Sequence, residues 1–210
     1  MESEEENQES SEKNGGKGTG KILLAVVILA VLISAGIIIY RHYKNPVYET
    51  YTYNGFSFEK IGPLWYTTVQ SSGRLYSVPF HYLPRELVNV SISGRAEEFN
   101  NGSKVYIAFD PLADKAEMPY IYVVSVNLET NLISFFGRQP EVACTRQDNS
   151  SCLNSTILNC SSETLFPIIQ LEAEGSPEVL LRDNCVIIRG SREDLIMAAD
   201  RLMLRYYGIM

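Results

Sequence analysis

The chain has 210 residues, with 18 Lys and Arg against 25 Asp and Glu, so its formal net charge is −7. That balance excludes the basic surface with which a nucleic-acid binder neutralises phosphates, and no nucleic-acid partner is expected. Only two histidines are present, His42 and His81, which leaves a mixed Cys/His metal site few ligands.

Residues 1–21 form the first segment. Six acids (Glu2, Glu4, Glu5, Glu6, Glu9, Glu12) face three lysines (Lys13, Lys17, Lys21), a net of −3. With no large apolar residue after Met1, the segment cannot offset the entropy of ordering and reads as a disordered, solvated cytoplasmic tail.

Residues 22–40 are nineteen positions of Ile, Leu, Val and Ala up to Tyr40, broken only by Ser34 and Gly36. As a helix this run reaches about 28 Å, close to the hydrocarbon thickness of a bilayer. A helix apolar all round suits lipid better than a wet surface, so a transmembrane anchor is expected, with the lipid bilayer as partner. Ser34 and Gly36 could mark a signal-peptide cut, but the run continues through Ile37, Ile38 and Ile39, which favours an uncleaved anchor. Basic residues flank both ends and set orientation only weakly.

Residues 41–46 read as a juxtamembrane linker closed by Asn45-Pro46. Residues 47–210 form the third part, about 165 residues and enough for one domain with a real core. All four cysteines, Cys144, Cys152, Cys160 and Cys185, lie here, and none has the two-residue spacing of a zinc ribbon or redox motif. An even number in an Asn- and Ser-rich loop points to two disulfides and an oxidising compartment. Four cysteines allow three pairings. Spacing favours Cys152–Cys160 closing a small loop and Cys144–Cys185 tying it to the core, with the others open. Glycosylation triplets stand at Asn89, Asn101, Asn149, Asn154 and Asn159, all after the anchor. In Asn159-Cys160-Ser161, modification and disulfide formation compete. Cysteines and triplets together predict a cytoplasmic N-terminus and an extracytoplasmic domain.

Within that domain, Asn54-Gly55 between Tyr51/Tyr53 and Phe56/Phe58 is a tight-hairpin signal. A second hairpin is expected from Leu64–Gln70 and Leu75–Tyr82, and further strands at Leu87–Ser93 and Lys104–Phe109. Tyr40, Tyr43 and Tyr48 suit the membrane interface, and the hairpin aromatics suit cross-strand packing. Ile121, Val124, Leu128, Leu132 and Phe135 fall on one helical stripe, so Pro119–Phe136 is expected as a helix stopped by Gly137. Strands follow at Leu165–Leu171 and Glu178–Leu181. Cys185–Arg189 then reads as a buried strand turning at Gly190 into a helix, with Ser191 as N-cap, a stripe of Leu195, Ala199, Leu202 and Tyr206, and Gly208 as C-terminal cap. The fold class is therefore α+β: a mixed, mostly antiparallel sheet with about two packed helices, preceded by one transmembrane helix.

No catalytic constellation, cofactor motif or metal-ligand spacing emerges. Gly190-Ser191 at a helix start offers backbone donors to a phosphate, but one glycine is no P-loop, and Glu193 and Asp194 already bring negative charge there. His81 lacks a nucleophile elbow and an evident partner. Asp110, Asp114 and Glu117 lack calcium-loop spacing and read as a turn and helix-start cluster. Asp200, inside the last helix beside its apolar stripe, suits a pocket or a bond with Arg189 or another arginine.

Three stretches carry a resemblance: Cys185-Val186-Ile187-Ile188-Arg189-Gly190, Ala198-Ala199-Asp200-Arg201-Leu202 and Tyr207-Gly208-Ile209-Met210. In these, and in Phe109-Asp110-Pro111, the chain resembles a set of archaeal single-pass membrane-anchored proteins with a cysteine-containing exported domain. The resemblance runs over Tyr51 to Met210. More loosely, the strand–Gly–helix ending is similar to pieces of archaeal surface-layer proteins. The resemblance implies location and architecture and supplies no active-site residue. The functional expectation is a cell-envelope structural or interaction module whose partner is another envelope or membrane protein. The alternatives are an exported enzyme-like α/β domain with a pocket near Gly190 and Asp200, or a pilin-like subunit. For the last, Lys17-Gly18 before the apolar run is similar to a pilin leader, but the early acidic residue of a pilin helix has no counterpart between Ile22 and Tyr40.

Overall fold

The computed structural model describes residues 17–44, 49–71, 73–96, 103–148 and 152–210. The chain divides into two units, Met1–Val47 and Tyr48–Met210. Most of the acidic tail, the linker's Asn45-Pro46, and the triplets at Asn101 and Asn149 lie outside the described residues.

In the first unit, α1 (Lys17–Lys44) is 28 residues long and extends past the expected span at both ends. Its described side chains, Leu24 and Val26 to Tyr40, are exposed. The Ser34 hydroxyl donates to the Val31 carbonyl at 2.9 Å, so that polar group is satisfied within the helix. Among the described residues, no helix is long and apolar enough to cross a membrane.

The second unit begins with a four-stranded antiparallel meander: β1 (Thr50–Tyr53), β2 (Phe56–Ile61), β3 (Leu64–Ser71) and β4 (Arg74–Phe80). Asn54 and Gly55 take φ of 46° and 82°, the left-handed pair that a two-residue hairpin needs. Alternation decides its faces: Phe58, Trp65, Val69, Val78 and Phe80 are buried, while Glu59, Thr68 and Gln70 face water. The strand expected at Leu87–Ser93 starts later. Pro84–Glu86 is a 3₁₀ turn, with the Glu86 carboxylate accepting from Leu83 N–H at 2.7 Å, and β5 covers Ser91–Arg95. A proline suited to a first helical position and a carboxylate reaching back outweigh the strand propensity of the valines.

The second sheet has seven strands in the order β5-β10-β11-β9-β6-β7-β8. Its remaining members are β6 (Lys104–Phe109), β7 (Gln139–Cys144), β8 (Thr156–Ile157), β9 (Ile168–Glu172), β10 (Glu178–Arg182) and β11 (Cys185–Arg189). Only β10·β11 is antiparallel, and the other five ladders are parallel. The α+β class holds, but one mostly antiparallel sheet does not: the small sheet is antiparallel and the large one mostly parallel. The reason lies in double-sided burial. Val105 to Ala108 and Val186 to Ile188 are buried without interruption, as central parallel strands are.

The expected helix at Pro119–Phe136 is α2 (Met118–Ser134), with Ile121, Val124, Leu128 and Leu132 buried. It forms the crossover from β6 to the parallel neighbour β7, which no hairpin could make. The last helix, α3 (Glu193–Tyr206), follows β11. Both helices pack against the large sheet's first face, and the meander closes over their far ends. There Tyr76 meets Phe135 with ring centroids 5.3 Å apart, and Phe80 meets Tyr207 at 6.1 Å. The sheet's second face carries Tyr106, Ala108, Ala143, Ile168, Cys185 and Ile187, covered in part by Leu158 and Cys160 of the cysteine loop.

The two disulfides are Cys144–Cys152 and Cys160–Cys185, with Cα–Cα distances of 6.4 and 5.6 Å. The favoured pairing is thus corrected, and the sheet explains why. Cys185 on β11 is in register with Ile168 on β9, which is level with Tyr106 on β6 and Glu141 on β7. Cys144 therefore lies three strand steps away, about 14 Å, and three residues farther along. No disulfide spans that gap.

Candidate functional site

In an open parallel sheet, ligands bind beyond the carboxyl ends of the strands, where neighbouring connections leave in opposite directions. Here that place lies between β6 and β9. From β6 the chain passes through α2 to β7 on one side, and from β9 through β10 to β11 on the other. A cleft of about 620 Å³ opens there, lined by Asp110, Asp114 and Glu117 after β6, Arg146 after β7, and Gln170, Glu172 and Glu174 around the end of β9.

Most of these carboxylates already have work. Asp110 accepts from Leu112 N–H at 2.9 Å and pairs with Arg146. Asp114 accepts from Ala116 N–H at 2.9 Å, a turn bond that leads into α2. Glu172 accepts from Gln170 at 2.8 Å and from Arg189 Nε at 2.8 Å, while Arg189 also pairs with Glu178. The Arg189 guanidinium, bonded to Glu172 first, is held above its ordinary pKa. The reading of Asp110 and Asp114 as turn groups ahead of α2 agrees with these contacts. Among the described residues, no group of three or more His, Cys, Asp or Glu is placed to hold a metal.

Glu117 has a role the sequence did not reveal. It is buried at 9% exposure, and its carboxylate accepts from the Ser191 hydroxyl at 2.9 Å and from Arg192 N–H at 2.7 Å. The expected N-cap at Ser191 is therefore corrected: α3 starts two residues later, and Ser191 donates to Glu117 instead of capping the helix. Glu117 is 74 positions from Ser191, so no local capping pattern could report it. The negative charge that a phosphate would bring to this helix start comes from the chain's own glutamate. Gly190 serves packing there, because a Cβ would lie 2.5 Å from the Asp194 carbonyl carbon.

Asp200 and His81, far apart in sequence, meet at the join between the meander and α3. Asp200 is 5% exposed, and its Oδ2 accepts from His81 N–H at 2.7 Å and Tyr82 N–H at 3.0 Å. The His81 ring lies 3.8 Å from Oδ1, with Asn127 at 3.5 Å from the same ring nitrogen. The expected arginine partner is replaced by two backbone donors at the end of β4. Burial pushes the Asp200 carboxyl above its ordinary pKa, against the opposing pull of His81 and the two N–H bonds.

That arrangement sets a pH dependence. A carboxyl raised by folding stabilises the fold below the ordinary carboxylate range, near 4, and loses that contribution as pH rises through its higher folded value. Asp200→Asn keeps an oxygen for both donors and cannot ionise. Denaturant titrations from pH 4 to 8 should therefore show a flatter stability profile for Asp200→Asn than for the parent. Asp200→Ala leaves the His81 and Tyr82 N–H groups without their acceptor and should cost about 2 kcal/mol at pH 4, less as the parent's own contribution fades with rising pH.

All four cysteines are in disulfides, as expected, although in different pairs. Cys160 and Cys185 lie on the second face of the sheet, and Cys144–Cys152 pins the start of the loop to the end of β7. Asn89 and Asn154 are exposed on turns, and Asn159 is half-buried, its Oδ1 accepting from Ser161 N–H at 2.8 Å. Comparison of the chain with protein-family models, curated proteins and solved structures gives no match.

Proposed function

We propose that this chain is a single-pass membrane protein that presents its disulfide-bonded domain outside the cytoplasm, as an interaction module of the cell envelope. The observation that carries the reading is the pair of disulfides in the domain, since such bonds persist in oxidising compartments. The apolar run from Ile22 to Tyr40 supports the anchor, and the exposed side chains from Val26 to Tyr40 agree with it. The resemblance to archaeal membrane-anchored proteins points the same way.

The cleft at the strand ends gives the module a place to dock. Its lining carries Asp110, Asp114, Glu117, Glu172 and Glu174. Arg146 pairs with Asp110 and Arg189 with Glu172, and the carboxylates that remain, Asp114 and Glu174 at the rim, suit a basic side chain on a partner envelope protein. An enzyme-like site near Gly190 and Asp200 draws less support. Glu117 fills the donor positions at the start of α3, and Asp200 is spent on the backbone of His81 and Tyr82. The pilin-like alternative rests on Lys17-Gly18, and a mature N-terminus directly after Gly18 or Gly20 would favour it.

Placement is tested on the full chain in its native cells. Protease added to intact cells should cleave within Tyr48–Met210. Non-reducing peptide mapping should recover Cys144 joined to Cys152 and Cys160 joined to Cys185. Complete protection, together with four thiols open to alkylation in unbroken cells, would overturn the reading.

A further inference from the structure

We propose that Asn89 and Asn154 carry N-linked glycans that shield the two open edges of the seven-stranded sheet. The inference rests on the extracytoplasmic placement above and adds which triplets are used and what they do. The sheet ends at β5 on one side and at β8 on the other. Each edge strand begins on the hydroxyl residue of a glycosylation triplet: Ser91 of Asn89-Val90-Ser91 opens β5, and Thr156 of Asn154-Ser155-Thr156 opens β8.

Both asparagines are exposed, on turns pinned to the core. Leu87 and Val90 are 0% and 3% exposed, and Val90 N–H closes the turn on Leu87 O at 3.1 Å, which leaves Asn89 at its outer corner. Asn154 follows Cys152, which is 2% exposed and bonded to Cys144, and Ser155 N–H returns to Cys152 O at 3.3 Å. A glycan on either turn projects outward along the strand that follows. Because β5 runs parallel to β10 and β10 antiparallel to β11, the two edge strands run in opposite directions. The register puts Thr156, paired with Ala143 near the end of β7, level with Ile187 and Ser93, two residues from Ser91. Both sugars therefore sit toward the carboxyl end of the parallel strands, one at each edge.

The edges need cover. A sheet edge offers unpaired N–H and C=O groups to another copy, and proteins blunt it with charge, short strands or obstruction. Here β8 pairs with Ala143 and Cys144 and, among the described residues, leaves the rest of β7 without an outer partner, with Val142 and Ile157 exposed. The side chains of β5 are exposed except for half-buried Ile92. Asn159 does not share the role. It is half-buried, its oxygen is held by Ser161 N–H, and the central Cys160 of its triplet is bonded to Cys185.

The transfer requires a polyprenyl-(pyro)phosphate-linked oligosaccharide as donor. The asparagine Nδ2 forms a bond to the anomeric carbon, the carbon–oxygen bond to phosphate breaks, and the lipid (pyro)phosphate leaves with that electron pair. A base on the transferase takes the amide proton.

The test is intact glycopeptide mass spectrometry, without reduction, on the full chain purified from its own membranes. Glycan mass is expected on the peptides of Asn89 and Asn154, and none on that of Asn159. Disulfide-bonded protein lacking glycan at either Asn89 or Asn154, or carrying it on Asn159, overturns this assignment while the placement stands. Four reduced cysteines overturn the placement itself. In the same host, the double variant Asn89→Gln/Asn154→Gln should keep both disulfides and show a severalfold larger self-associated fraction by light scattering. A modified parent and an equally dispersed double variant would refute the shielding role.

Discussion

Replacing Cys160 and Cys185 together with serine should lower the stability of the domain by about 3.5 kcal/mol, the loop-closure value for a separation of 25 residues. The same estimate for Cys144–Cys152, separated by 8 residues, is about 2.5 kcal/mol. The longer bridge also has the greater packing consequence. Cys160 belongs to the cover over Tyr106, Ile168 and Ile187, and Cys185 lies under it at the start of β11. Cutting the bond releases that cover from one of the sheet's central strands. Urea unfolding should therefore show a lower midpoint. An apolar dye should also bind the double-serine variant at urea concentrations where the parent stays dark. A midpoint within error of the parent would mean that Gln170 Oε1, which accepts from Cys160 N–H at 2.8 Å, and the surrounding packing hold the loop without the bond.

Gly190→Ala should be nearly as damaging, at about 3 kcal/mol, or about 10 °C in Tm. The added methyl would lie 2.5 Å from the Asp194 carbonyl carbon and 2.6 Å from Leu195 N, both main-chain atoms in the first turn of α3. Main chain cannot swing aside as a side-chain tip can, so either β11 or α3 has to shift. Either shift disturbs Leu195 and Ile188, both fully buried. Gly137→Ala serves as the control. Its φ of 64° carries a left-handed penalty of about 1 kcal/mol, but its Cβ meets nothing within 4 Å. Equal losses for the two variants would remove the steric account of Gly190.

Where sequence and structure agree, the signal is local. Asn54-Gly55 contains its own turn chemistry, and the four-residue recurrence from Val124 to Leu128 to Leu132 marks one face of α2. The strand at Cys185–Arg189, the turn at Gly190 and the helix beyond also follow from adjacent residues. What escaped is non-local. That β9 lies between β6 and β11 follows from no pattern within any of those strands, since parallel neighbours are joined through distant crossovers. The disulfide pairing depended on that order and was lost with it. Glu117 and Asp200 escaped for a related reason. Each is an acidic side chain whose partners, Ser191 and Arg192 or His81 and Tyr82, come from another part of the chain. The cleft is legible only once β6, β7 and β9 are side by side.

Parallel sheets are usually clad by helices on both faces, and among the described residues of this unit the helices pack on a single face. Its other coat is a polar loop tacked down by sulfur. A newly made copy kept among reducing thiols thus lacks the stitches for half its clothing and stays open to chaperones and proteases. Reaching an oxidising milieu completes the garment. The coat is therefore complete only where thiols oxidise.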